Sequence, residues 1–124
     1  MIQNYKFAKG EKLNIIGHSH GGNVGILVSH LINRKIDNLV TLGTPIREYF
    51  PDYSNVGKAY NFYSNSDEVQ IRGGIDSINL FSSANRTLVG AQNVEVPINN
   101  GPIDTHSDLH TADVWRKYVH PYIK

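Results

Sequence analysis

Leu13-Asn14-Ile15-Ile16-Gly17-His18-Ser19-His20-Gly21-Gly22-Asn23 is the stretch on which the fold turns. It opens with a brief apolar run that stops at a glycine, the pattern of a buried strand. After Gly21 the period changes. Val24, Leu27, Val28, Leu31 and Ile32 recur at three- and four-residue steps, which marks one apolar face of a helix. Strand, tight turn and helix in that order open a crossover unit, so a parallel strand is expected next. Asn38-Leu39-Val40-Thr41-Leu42 fits it, closed by Gly43-Thr44-Pro45.

Further along, Ala59-Tyr60-Asn61-Phe62-Tyr63 reads as a third strand, closed by Ser64-Asn65-Ser66-Asp67. Asn93-Val94-Glu95-Val96 reads as a fourth, stopped by Pro97. Between them Gly73-Gly74 marks a turn, and residues 71–92 show no clear period. Leu109, Ala112, Trp115, Tyr118, Val119 and Tyr122 then follow helical spacing, with Thr111 as N-cap and Pro121 as an end or kink. Upstream, residues 2–9 read as the tail of a helix and Gly10 as the left-handed residue that closes it. The order is that of an α/β fold: a parallel sheet of about four strands flanked by helices, in one domain over residues 1–124. Ligands of such sheets sit beyond the carboxyl ends of the strands. Ser19, Thr44, Asp67 and the loop before His106 all follow predicted strands, so they should gather on one edge.

Composition narrows the classes. With 40 % hydrophobic and 19 % charged residues the chain can pack a core and is not a disordered segment. A net charge of +1 with scattered Lys and Arg leaves no footprint for nucleic acid. No apolar run is long enough to span a bilayer, and residues 1–7 lack the basic-then-apolar layout of a signal peptide. Cysteine is absent, which removes disulfides and thiolate chemistry.

Gly17-His18-Ser19-His20-Gly21 is a G-x-S-x-G pattern set between a strand and a helix. A sharp strand-to-helix turn forces the serine into a strained backbone and lifts its hydroxyl clear of the sheet. Gly17 and Gly21 are expected because side chains there would collide with the neighbouring strand or helix. The helix N-terminus brings partial positive charge to the place where an oxyanion would form, and the His20 N–H is the expected donor.

The stretch from Leu13 to Asn23 resembles the nucleophile turn of lipase- and esterase-like α/β-hydrolases. Thr41-Leu42-Gly43-Thr44-Pro45 resembles the next strand and its exit, and the similarity continues through Asn61–Asp67 into the C-terminal helix. The resemblance implies a serine hydrolase acting on carboxylic esters, with a small-molecule ester or a lipid as substrate and no cofactor. Chain order in that superfamily is nucleophile, acid, histidine. Asp67, 48 residues after Ser19 and in a polar turn after the third strand, is the expected acid. Glu68 beside it should point elsewhere, and Asp52 and Asp76 do not directly follow a strand. Of six histidines, His18 and His20 sit too close along a tight turn to reach the Ser19 hydroxyl. His30 falls on the turn's helix and His120 near the C-terminus. His106 is the expected base, placed on a loop before the last helix, with His110 the alternative. His106, His110 and Asp113 would share one helical face, which is the pattern of a zinc site; without a neighbouring Glu as in H-E-x-x-H no metal is expected. Tyr49-Phe50-Pro51-Asp52-Tyr53 is expected as core filler before an aromatic wall of the site.

One part of the superfamily pattern has no room here. The second oxyanion donor comes from a loop upstream of the nucleophile strand, and only 12 residues precede Leu13. The expectation is therefore the C-terminal portion of a larger hydrolase, its open strand edge covered by a missing N-terminal segment or by a dimer partner. Without that donor, a catalytically silent domain serving binding or assembly is the alternative.

Overall fold

The structure is a computed structural model that describes residues 2–72 and 84–123. A single 3₁₀ turn, Ile2–Asn4, comes first, followed by strand β1 (Asn14–His18), helix α1 (His20–Leu31), β2 (Ile36–Leu42) and β3 (Val56–Tyr63). Helix α2 (Glu68–Arg72), β4 (Gln92–Glu95) and helix α3 (Asp104–Asp108) complete the middle of the chain. The expected Gly73-Gly74 turn and Asp76 lie outside the described residues.

The four strands lie in the order β1-β2-β3-β4, each pair parallel, so the sheet is the parallel one expected. Their carboxyl ends are level: His18 pairs with Leu42, Leu42 with Phe62, and Phe62 with Val94. Whatever follows each strand therefore emerges on one edge. Beyond their first residues, β2 and β3 alternate between two cores, Leu39 and Ala59 facing one and Val40, Leu42, Tyr60 and Phe62 the other. Leu39 packs with Ile26, Ile36, Ile46, Val56 and Leu88 on the α1 face. Val40, Leu42, Tyr60 and Phe62 pack with Leu109, Val114 and Val119 on the other face. A central strand buried on both sides reads as a near-continuous apolar run, which is why β2 was legible.

The face of α1 is turned from the one its apolar spacing suggested: of the five spaced residues only Val28 and Ile32 pack against the core. Val24, Leu27 and Leu31 are exposed, whereas Gly22, Asn23, Gly25, Ile26 and Ser29 face the sheet. Close approach explains this. A Cβ on Gly25 would lie 3.1 Å from both Ile15 Cγ2 and Leu39 Cδ1, so the contact side is built from small residues. We expect Ile26→Ala to cost about 2–5 kcal/mol and Val24→Gln about 0.5 kcal/mol or less in urea unfolding. Equal losses would overturn this assignment of faces.

Three smaller expectations also change. Residues 5–9 are not helical, and Gly10 (φ +80°) sits in a turn closed by Glu11 N–H donating to Ala8 O at 3.1 Å. The C-terminal helix is not uniform: α4 (Ala112–Val114) runs into a wide π turn (Trp115–Val119) and then α5 (His120–Ile123). Pro121, which has no N–H and would clash with the carbonyl four residues back, is accommodated by that wider turn instead of ending the helix. Thr111 caps it as expected, its hydroxyl accepting from Val114 N–H at 3.4 Å. Tyr49, Phe50 and Tyr53 are exposed and do not fill the core. Tyr53 lies across Gly90 and donates to Val89 O, so the aromatic stretch covers a loop rather than entering the sheet.

Candidate active site

β1 ends at His18 and α1 begins at His20, leaving Ser19 alone to reverse the chain. Its backbone has φ +53° and ψ −132°, and it is the only non-glycine residue with positive φ among those described. Holding a side chain there costs on the order of 1–3 kcal/mol, so the surroundings must enforce it. They do so from two sides. Ser19 N–H donates to Leu42 O at 2.9 Å, and Gly22 N–H donates to Ser19 O at 3.0 Å. A Cβ on Gly17 would overlap the backbone of Gly21 and Gly22, and one on Gly22 would overlap the Thr44 side chain. A Cβ on Gly21 meets nothing within 4 Å. The glycines that the turn requires are thus Gly17 and Gly22, not Gly17 and Gly21. His20 opens α1 and is exposed, with its N–H at the helix N-terminus.

Asp67 follows β3 in the turn that begins at Ser64, and its side chain is fully buried. Its Oδ1 accepts from Gln70 N–H at 2.9 Å, and its Oδ2 accepts from His106 Nδ1–H at 2.7 Å. His106 lies on α3 and is also buried. With Nδ1–H given to the carboxylate, Nε2 of the neutral ring carries the lone pair. Gly43 (φ +54°) makes room for the pair. A Cβ there would stand 3.0 Å from Asp67 Oδ2 and 3.3 Å from His106 Nδ1. Because Ser19 bonds to Leu42, the residue before Gly43, the serine turn and the acid–histidine pair flank the same strand end. Ser19 Oγ makes no hydrogen bond among the described residues.

The other titratable groups go elsewhere. Glu68 pairs with Arg72 at 3.3 Å on the surface. Asp52 accepts from the Ser54 hydroxyl and N–H in its own turn. His30 contacts Phe50 O at 2.7 Å and His120 is exposed. His110 falls beyond the end of α3, and Asp113 faces Arg116 at 3.4 Å, so the three-residue zinc face does not form. Among the described residues, no three His, Cys, Asp or Glu side chains are grouped to hold a metal.

Two sets of contacts near the pair escaped the sequence reading. His18 Nε2–H donates to His106 O at 2.8 Å, and its ring stands 4.7 Å from that of His106 and 4.3 Å from that of His110. Arg86 holds the turn that carries Asp67, through bonds to Ser64 O, Asn65 O and Asp67 O. No local pattern announces either contact. Partial burial, together with the neighbouring His106 and His110, pushes the His18 pKa down, against the hydrogen bond to His106 O. A folded-state pKa below the unfolded one means the unfolded chain binds the proton more tightly. Stability is then lost as pH falls from about 6.5 toward the folded pKa. His18→Gln should remove part of that loss, so its Tm relative to the unsubstituted protein should improve at pH 5 compared with pH 7.5 (thermal melts across about this range). A constant difference would overturn the assignment.

Residues 1–109 match the family described as PGAP1-like alpha/beta domain. No curated protein and no solved structure matches the chain.

Proposed function

The chain belongs to the PGAP1-like alpha/beta domain family, an α/β-hydrolase-like family, and from that premise we propose that it is a serine hydrolase of carboxylic esters. The observation that carries this reading is the strained Ser19, set on the same sheet edge as the buried Asp67–His106 pair. A serine is a weak nucleophile until a base takes its proton. In the proposed reaction Ser19 Oγ attacks the ester carbonyl while His106 Nε2 accepts the hydroxyl proton. The oxyanion of the tetrahedral intermediate faces the His20 N–H at the head of α1. The intermediate collapses, the C–O bond to the alcohol breaks, and His106 returns the proton to the leaving oxygen. Water, deprotonated by His106 in turn, then releases the acid and restores Ser19. Asp67 fixes the histidine tautomer and stabilises the imidazolium throughout.

A fluorophosphonate probe tests this directly. The expected result is a covalent adduct that tandem mass spectrometry places on Ser19; a folded protein that stays unlabelled would overturn the proposal. A second reading, a silent domain used for assembly, draws on the exposed stripe Val24, Leu27 and Leu31 on the helix that follows β1, the edge strand among the described residues. A monomer that turns over short-chain esters would exclude it.

A further inference from the structure

We propose that Arg86 is the positioning residue for the acid of this site, a clamp that sets Asp67 against His106. The inference rests on the hydrolase reading above. The turn Ser64-Asn65-Ser66-Asp67 sends three carbonyls toward one guanidinium. Arg86 Nε–H donates to Ser64 O at 3.1 Å, and its terminal nitrogen donates to Asn65 O at 3.0 Å and to Asp67 O at 2.9 Å. A planar fork can serve several acceptors at once; an ammonium on a flexible stem cannot hold the same geometry.

The backbone of Arg86 is itself anchored. Its carbonyl accepts from Asn61 Nδ2 at 2.7 Å and from Gln70 Nε2 at 3.3 Å. Asn61 belongs to β3 and also accepts from Thr41 Oγ1 at 2.7 Å, which ties the network to β2. Gln70 donates from its side chain to Thr44 O, while its N–H holds Asp67 Oδ1. Arg86 is thus fixed to the sheet at one end and grips the acid turn at the other. The guanidinium does not touch the Asp67 carboxylate in these bonds, so its action is on the backbone that aims it. His106 is faced by Asp67 and by His18 from the end of β1, and the His18 ring is faced in turn by His110 from beyond α3. Only Asp67 among these is anionic, so its aim governs the stability of the imidazolium.

The test compares Arg86→Lys and Arg86→Ala with the unsubstituted protein. Misplacement of a catalytic group by a fraction of an ångström to one ångström is worth up to about 100-fold. Arg86→Lys should therefore lower kcat about 10- to 100-fold with KM little changed. A weaker Asp67–His106 contact stabilises the imidazolium less, so the acid limb of the kcat/KM profile should move to lower pH. The downfield proton NMR signal of His106 Nδ1–H should shift upfield or broaden away in both variants. Guanidinium ion added to Arg86→Ala should restore part of the rate. A folded Arg86→Lys protein with an unaltered limb and unaltered downfield proton would overturn the clamp, as would a rate loss that tracks only the unfolded fraction. The proton signal is read without turnover. Absence of probe labelling at Ser19 would sink the hydrolase reading, whereas an unmoved His106 proton would sink the role of Arg86.

Discussion

Asp67→Asn is expected to lower kcat for ester hydrolysis by about 10⁴-fold while the protein stays folded. The change is isosteric at a fully buried position, so shape is preserved. The amide oxygen can still accept from Gln70 N–H, as Oδ1 does now. The amide NH₂ would then face His106 Nδ1 in place of the carboxylate oxygen that accepts its proton at 2.7 Å. Two donors cannot share that contact, so the ring must move its proton to Nε2. Nε2 is the atom required to receive the Ser19 proton, and the base is lost without any loss of packing. Steady-state kinetics at saturating short-chain ester, with circular dichroism as the control for folding, decide the matter. A folded variant within about tenfold of the unsubstituted rate would remove Asp67 from the mechanism.

Gly17→Ala is expected to destabilise the fold by about 3 kcal/mol or more, enough to leave much of the protein unfolded. The added methyl would overlap the carbonyl of Gly21 and the nitrogen of Gly22. These are backbone atoms in the first turn of α1, and they cannot swing aside as a side chain can. Relief would require α1 to tilt off the sheet, opening the contact at which Gly25 meets Ile15 and Leu39. Gly21→Ala is the internal control. Its Cβ meets nothing within 4 Å, it carries no positive φ, and it lies in a helix. Replacing that glycine should be neutral or stabilising by up to about 1 kcal/mol. Urea midpoints of the two variants should move in opposite directions or differ by that margin. Similar midpoints would show that Gly17 is dispensable to the turn.

The contrast between these two glycines shows where local pattern stops. Both flank Ser19 in the sequence, and both read as required. Which one meets a neighbouring backbone depends on how α1 lies across β1, and that is a matter of packing. The same limit applies to α1. Its apolar spacing was clear, but spacing records only that a stripe exists. Small residues at Gly22 and Gly25 let the helix approach the sheet on a turned face, so Val24, Leu27 and Leu31 were left exposed while Val28 and Ile32 met the core.

What the sequence by itself determined is the succession of strand, turn and helix and the residues at each strand end. Those features are written in residues a few positions apart, where side-chain period and turn chemistry act directly. From them the parallel sheet followed, and with it the shared edge that carries Ser19, Thr44 and Asp67. Only the tertiary structure decided which histidine meets Asp67, because that contact joins residues 39 positions apart. It alone revealed that His18 holds the carbonyl of His106 across 88 positions, and that Arg86 grips the turn beneath the acid. A hydrogen bond between distant segments leaves no period in the chain. It exists only once sheet and helices have brought donor and acceptor within 3 Å of one another, as between His106 Nδ1 and Asp67 Oδ2 at 2.7 Å.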